Sequence, residues 1–506
     1  MKTNINTSVI VNIIRTLTMT LLSLVTFPYV CRVLGDTAFG AYSWVSSFVY
    51  YFFILARISI PNIAVRECVK VKDDPAKLSI KVQELFIIQA VMTLISFLLM
   101  TGIIFIVPAF KMSEGLSYDY ITLAFILSLN FLTGVLSFEW VFTAFEKHTF
   151  MSVRSIIIHT LSAILIFTFV RNPGHVTLYA FLAIIGTVLT VITNLIYLPK
   201  LVKFKKEEPY NFKQYFPILA ILFVISIVAA VYDKTDSFIL GIIDQSKASV
   251  GSYSVAMKAI EVIIGIMTSL SIVFIPRAAY YKEKNDEKQY RNLNKYAVNI
   301  ALFIIIPAIA TMIALATPLT ELISGSYESG GYKDTNYILI ALTLLMLTYS
   351  ISYIIYTQIL IPSKKETIYM WSMLVGFVLN IGLSLLFGLV FFKDHPAIGV
   401  AIATSISDLV VLIIMFVLTW KDSKDTFFNW NTVKIIGVGI AIAIFTVFIG
   451  PLIRNAVLNI TESIETSYIL EIITMVIVDA IIYLLSLYLL KEKLVTSFLN
   501  RRKTSK

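Results

Sequence analysis

The chain has 506 residues, 58% of them hydrophobic and only 14% charged, with a mean hydropathy of +0.85, a composition that excludes a water-soluble enzyme and points to lipid as the solvent. Two cysteines exclude a disulfide scaffold. The formal charge of +10 would suit a nucleic-acid binder, but its distribution along the chain argues against that class.

Apolar runs of about 20 residues recur from end to end, each able to cross a hydrocarbon core of roughly 30 Å. Fourteen are predicted as transmembrane helices: 9–31, 41–65, 82–108, 121–144, 153–170, 176–198, 216–241, 250–274, 296–320, 336–361, 367–392, 396–420, 434–455 and 467–490. The first follows Lys2 and resembles a signal sequence, but Phe27-Pro28-Tyr29-Val30-Cys31 offers no small-residue cleavage site, so it reads as a retained helix. It carries Arg15. The second carries Arg57 about eight residues, or roughly 12 Å, from its end, a depth from which snorkelling is strained. Cys31 and Cys68 close these two runs at opposite faces, a bilayer apart and beyond disulfide reach.

The fourth run holds Glu139, and the fifth is short and carries His159. Runs seven and eight carry Asp233, Lys234 and Asp236, then Lys258 and Glu261; runs twelve and fourteen carry the single acids Asp408 and Asp479. With the N-terminus inside, the segments that fall inside are rich in Lys and Arg: six at 277–295 and five at 200–213, against one in each outer segment. That asymmetry in short loops orients a membrane protein, and it predicts both termini in the cytoplasm. The basic surplus is spent on orientation, and nucleic acid is not expected as a partner.

Gly40-Ala41-Tyr42-Ser43 opens run two and Gly251-Ser252-Tyr253-Ser254 opens run eight, 211 residues later; Arg66 and Arg277 recur at the same offset. Equal orientation of the two blocks predicts a parallel pseudo-repeat. The expected fold is therefore an all-α integral membrane protein of about 14 helices. Its N-lobe is 1–198 (spans one to six), a charged cytoplasmic linker covers 199–215, and the C-lobe is 216–420 (spans seven to twelve). Spans thirteen and fourteen with a basic tail make up 421–506.

Charges at membrane depth face protein or water, and mark function by default. Arg57 has two readings, a cation facing a central cavity or half of a structural ion pair. Arg15 either snorkels or serves the same cavity. Asp233, Lys234, Asp236, Lys258 and Glu261 form either a neutralising network between two helices or a binding and ion-coupling site. Glu139, Asp408 and Asp479 are expected to be hydrogen-bonded packing residues. The histidines are scattered, no phosphate-binding Gly-x-x-x-x-Gly-Lys sequence is present, and no catalytic or metal-ligand pattern stands out, so no cofactor and no catalytic residue are expected.

The stretch Phe27-Pro28-Tyr29-Val30-Cys31-Arg32-Val33-Leu34-Gly35-Asp36-Thr37-Ala38-Phe39-Gly40-Ala41-Tyr42 resembles the Wzx-type polysaccharide flippases of the multidrug/oligosaccharidyl-lipid/polysaccharide exporter superfamily. Phe138-Glu139-Trp140, Gln358 with Pro362-Ser363-Lys364-Lys365, Asn380, and Gly399-Val400-Ala401-Ile402-Ala403-Thr404 extend the resemblance over the whole chain. It implies translocation of an undecaprenyl-diphosphate-linked oligosaccharide repeat unit across the bacterial cytoplasmic membrane, for capsule, O-antigen or exopolysaccharide. It implies as partners the lipid-linked glycan, membrane lipids, a polysaccharide polymerase and a chain-length regulator. Arg15, Arg57, Lys234 and Lys258 are then the candidate diphosphate ligands, and Asp233, Asp236 and Glu261 the candidate ion-coupling or charge network. Competing readings are a drug or cation exporter, which would favour an acidic cavity, a peptidoglycan-precursor flippase, and a membrane polymerase, which usually needs a large outer loop.

Overall fold

The computed structural model describes residues 5–57, 60–111, 118–205, 209–325, 331–427, 430–461, 463–492 and 494–496. Among these the chain is α-helical with short 3-10 and π segments and no strand. This is the expected answer to lipid, where a helix satisfies its own backbone. Among the described residues twelve helical stretches are long and apolar enough to cross a membrane.

The chain divides into two compact units, 1–251 and 252–506. The first holds α1 (Ile5–Arg57), α2 (Ile60–Val71), α3 (Pro75–Ile106), α4 (Tyr120–Ser128), α5 (Asn130–Leu136), α6 (Glu139–Ala144), α7 (His148–Phe169), α8 (Val176–Tyr197) and α9 (Phe216–Ile243). The second holds most of α10 (Ala248–Glu283), then α11 (Glu287–Ala314), α12 (Ala316–Ser324), α13 (Thr335–Ile355), α14 (Glu366–Leu386), α15 (Pro396–Leu418), α16 (Trp420–Phe427), α17 (Trp430–Thr461) and α18 (Ile464–Leu489). The division falls one helix beyond the linker expected at 199–215, because α9 packs along α1.

The spans and the helices do not correspond one to one. The apolar stretch Ile14–Arg57 runs 44 residues, roughly 66 Å at helical rise, about twice the hydrocarbon thickness. Gly35, at φ 74 and ψ 173, divides it where the first two expected spans meet, a conformation open to glycine and costly for other residues. Within the second expected span the described helices are α1 up to Arg57 and α2 from Ile60. The fourth is built from α4, α5 and α6 in sequence. The short fifth run becomes a regular helix of 22 residues, α7. α9 corresponds to the seventh run and is not among the twelve; side chains 224–233 lie outside the described ones.

The Pro-Tyr-x-x-Arg-x-Leu-Gly stretch builds one end of the first unit. The Tyr29 hydroxyl donates to the Val170 carbonyl at 2.7 Å, tying α1 to the end of α7. Gly40 and Gly251, related by the 211-residue offset, sit at one backbone crossing. A Cβ at Gly40 would lie 1.9 Å from the Lys247 carbonyl oxygen, and one at Gly251 would lie 2.3 Å from that of Asp36. Lys247, counted among outer-loop charges in the sequence, is in fact 1% exposed. Its ammonium donates to the Gly241 carbonyl at 2.5 Å and lies 4.6 Å from the Trp44 ring centroid and 5.7 Å from that of Tyr120. It thus caps the C-terminus of α9, where a cation meets the helix dipole, inside an aromatic cage.

In the second unit the motif residues lock helices to one another. Gln358, in a π segment continuing α13, donates to the Ser271 carbonyl at 2.8 Å, and Asn380 donates to Thr404 at 3.0 Å. A Cβ at Gly399 would lie 2.9 Å from the Phe387 backbone. Asp408 accepts from Thr348 at 2.7 Å, and Asp479 from Thr446 at 2.7 Å, joining α17 to α18. The two cysteines are buried and form no disulfide.

Lys247→Ala should lower stability by roughly 2–3 kcal/mol, since it strands buried carbonyls and removes the cation from the cage. A fall in the unfolding midpoint of the purified protein in detergent would register this, and Lys247→Arg should recover part of it.

Candidate functional site

Span four is interrupted between α5 and α6. Phe138 takes left-handed angles, φ 45 and ψ 25, which cost a bulky L-residue about 1–2 kcal/mol and need outside support. The support is polar. Asn194 of α8 donates to the Ser137 carbonyl, which the break frees from helical bonding. The Arg154 guanidinium of α7 donates to the Asn194 side-chain oxygen and, at 2.8 Å, to Glu139 at the start of α6. Asn194 and Arg154 are buried, whereas the Glu139 side chain is 46% exposed.

That exposed face of Glu139 looks onto a cavity of about 500 Å³ within the first unit. Arg15 and Arg57, from the two halves of α1, line it with His159 and Trp140. Hydroxyls of Thr133, Ser137, Ser155, Thr187 and Thr190 complete its polar wall. Arg57 stands on α1, 5.9 Å from the Phe53 ring centroid. Among the described residues no carboxylate pairs with it. The Arg15 Nε is buried without a hydrogen-bond partner.

The charge balance follows from these contacts. Glu139 is neutralised by Arg154, so Arg15 and Arg57 leave the cavity with a surplus of two guanidinium charges. Planar guanidinium groups beside neutral hydroxyls have the chemistry to hold an anion such as a phosphate. A span interrupted beside the cavity is a feature of transporter binding sites, where irregular backbone is tolerated because it lines water or protein.

The structure brings together two of the four candidate cations. Lys234 lies on α9 in the same unit, 5.8 Å from the Tyr50 ring centroid, and is not among the residues lining the cavity. Asp236 on the same helix is 5% exposed. Asp233 also stands on α9, but its side chain lies outside the described residues. Lys258 belongs to the second unit, where its ammonium meets Glu261 at 3.2 Å, one turn along α10. Both side chains are more than a third exposed, at 43% and 38%, so the pair contributes about 0–1 kcal/mol rather than forming a buried network.

Three members of the site were missed in the sequence. Glu139 is hydrogen-bonded as expected but also faces the cavity, Arg154 carries no signal in the sequence, and His159 is one of the scattered histidines. Ser155 and His159 are spaced i, i+4 and share a helix face already within the expected run 153–170, while Arg154 is turned away from that face toward Glu139 and Asn194.

Residues 5–282 match the family model described as "Polysaccharide biosynthesis protein", and residues 220–386 match a second, MatE. No curated protein matches significantly. Among solved structures, one described as "Lipid II flippase MurJ, inward closed conformation" aligns at a TM-score of 0.64 and 17% identity, covering 96% of this chain and 100% of that one. An "Inward-facing conformation of a multidrug resistance MATE family transporter of the MOP superfamily" aligns at 0.60 and 14% identity, covering 80% of this chain and 95% of that one. At these identities the likeness establishes the fold.

The Glu139–Arg154 pair predicts an asymmetric response. Glu139→Ala takes one partner from the buried guanidinium, but Glu139 is half exposed and Asn194 remains, so the loss should be only about 1–2 kcal/mol, and Glu139→Ala with Arg154→Met should recover most of it. Membrane abundance and detergent melting of the single and double variants measure this.

Proposed function

Since the chain belongs to the polysaccharide biosynthesis protein family, whose model spans residues 5–282, we propose that it is a flippase for an undecaprenyl-diphosphate-linked oligosaccharide repeat unit. It is a multi-pass membrane protein with the fold of flippases and exporters. In this reading it works in the bacterial cytoplasmic membrane with fourteen spans and both termini inside. It supplies capsule, O-antigen or exopolysaccharide synthesis, with a polysaccharide polymerase and a chain-length regulator as partners.

The observation that carries the reading is the pair Arg15 and Arg57 in one cavity, the first with an unpartnered Nε and the second with no described carboxylate. A diphosphate must shed water to cross a bilayer, and fixed guanidinium donors replace that hydration. Alternating access then needs the cations to face each side in turn, so that the lipid tail stays in hydrocarbon while the charged glycan passes. A drug or cation exporter would place the opposite charge at this point. A peptidoglycan-precursor flippase would use the same cations, and the family match over the first half of the chain favours the polysaccharide repeat unit.

Arg57→Ala should cut export of the repeat unit by about tenfold or more, the equivalent of at least 1.4 kcal/mol, with the protein still present in the membrane. Arg57→Lys should retain partial export because charge survives and the fork does not. Normal export by Arg57→Ala would remove the basis of the proposal. Separately, reporter fusions after Lys206, Lys284 and Lys424 should read as cytoplasmic and those near Lys111 and Lys333 as external. A reversal at any of the five overturns the fourteen-span topology.

A further inference from the structure

The first unit carries a second cavity of opposite chemistry. A groove of about 520 Å³, within the roughly 300–1,000 Å³ typical of small-ligand sites, has walls that are almost wholly apolar. Phe86 and Ile87 of α3, Leu136 and Phe138 at the break in span four, Leu195 of α8 and Phe204 beyond it form those walls. Leu195 is 38% exposed and Phe204 48%, so the groove is open along its flank.

Its position relates it to the cationic cavity. Residues of a single turn alternate between the two: Leu136 and Phe138 line the groove, while Ser137, Glu139 and Trp140 line the cavity. The Phe138 ring lines the groove and the Trp140 ring the cavity, 5.8 Å apart between centroids. Phe138 also stacks on Phe86 at 5.4 Å, so the left-handed turn aims its ring into the groove. Exposed Lys200, Lys203 and Lys205 follow the groove-lining Pro199 and flank Phe204, putting a basic rim beside an apolar slot. Apolar walls bordered by lysines and backed by guanidinium groups suit a ligand that is hydrocarbon at one end and anionic at the other.

We propose that this groove seats the first segment of the long apolar chain of a diphosphate-bearing lipid whose head group occupies the Arg15–Arg57 cavity. The inference rests on the flippase reading and adds to it a tail-binding subsite in the first unit. A bulk phospholipid would be served by the basic rim alone. A cargo lipid uses both compartments, and the shared turn at 136–140 links its two ends.

The test uses the full chain in nanodiscs and three probes with one head group: inorganic pyrophosphate, farnesyl diphosphate and undecaprenyl diphosphate. Affinity should rise about tenfold or more from pyrophosphate to farnesyl diphosphate as apolar carbons are buried. Leu195→Gln and Phe204→Gln should each shrink that rise to about threefold or less. Pyrophosphate affinity should stay unchanged in both, which also certifies that they are folded. Chain-length dependence that survives both substitutions overturns the groove and leaves the head-group reading standing. Absence of pyrophosphate binding in the unsubstituted protein overturns the head-group reading, and this inference with it. Displacement of farnesyl diphosphate by equimolar phosphatidylglycerol would show a seat for bulk lipid and also overturn the proposal.

Discussion

A guanidinium held inside a membrane span must have its hydrogen bonds supplied by protein, and the architecture of the first unit follows from how Arg154 meets that demand. Glu139 and Asn194 accept from its two terminal nitrogens while its Nε stays without a partner, and Asn194 in turn satisfies the carbonyl released where span four breaks. The break lets Phe138 turn left-handed and sends alternate residues into two compartments, one cationic and one apolar. Removing the ion pair would leave Asn194 alone to support the turn, and the placing of residues 136–140 along the two compartments depends on that turn. The same pairing cancels the charge of Glu139, leaving Arg15 and Arg57 to set the sign of the cavity.

The second unit handles its buried polar groups differently. Asp408 and Asp479 are held by threonine hydroxyls, and Glu471, 1% exposed, is met by Arg454 at 3.0 Å. These contacts join neighbouring helices: Thr348 of α13 to Asp408 of α15, Thr446 of α17 to Asp479 of α18. Their carboxylates are absorbed in packing, and the exposed Lys258–Glu261 pair is self-neutralised. Both glycines of the 211-residue offset, Gly40 and Gly251, fall in the first unit, and the cationic cavity described here is built there as well.

The motif that carries the family resemblance also has a physical explanation. Tyr29 anchors a carbonyl on α7, Gly35 supplies a positive φ between two spans, and Gly40 lets the backbone of α1 meet the turn before α10. Gln358, Asn380 and Gly399 join helices of the second unit in the same way. Most of these residues are architectural, so a family signature can identify a fold while the ligand contacts lie elsewhere. Glu139 and Trp140 are the exceptions, since they line the cavity.

Hydropathy alone determined that this chain is helical and lives in a membrane, because twenty-residue apolar runs have no other stable solvent. It also singled out Arg15 and Arg57, since a charge within such a run stands out against its neighbours. The order of the helices and the glycine pair at the 211-residue offset were likewise legible. Only the tertiary structure decided which charges share a cavity. Arg154, Glu139 and His159 come from different helices or from a helix whose start the sequence misplaced, and their proximity depends on packing between segments distant in the chain. It alone turned Lys247 from a loop charge into the buried cap of α9, and reduced Lys258 and Glu261 to a local pair. Periodicity reports what each segment does with its own solvent; which side chains become one another's solvent is settled only when the helices pack.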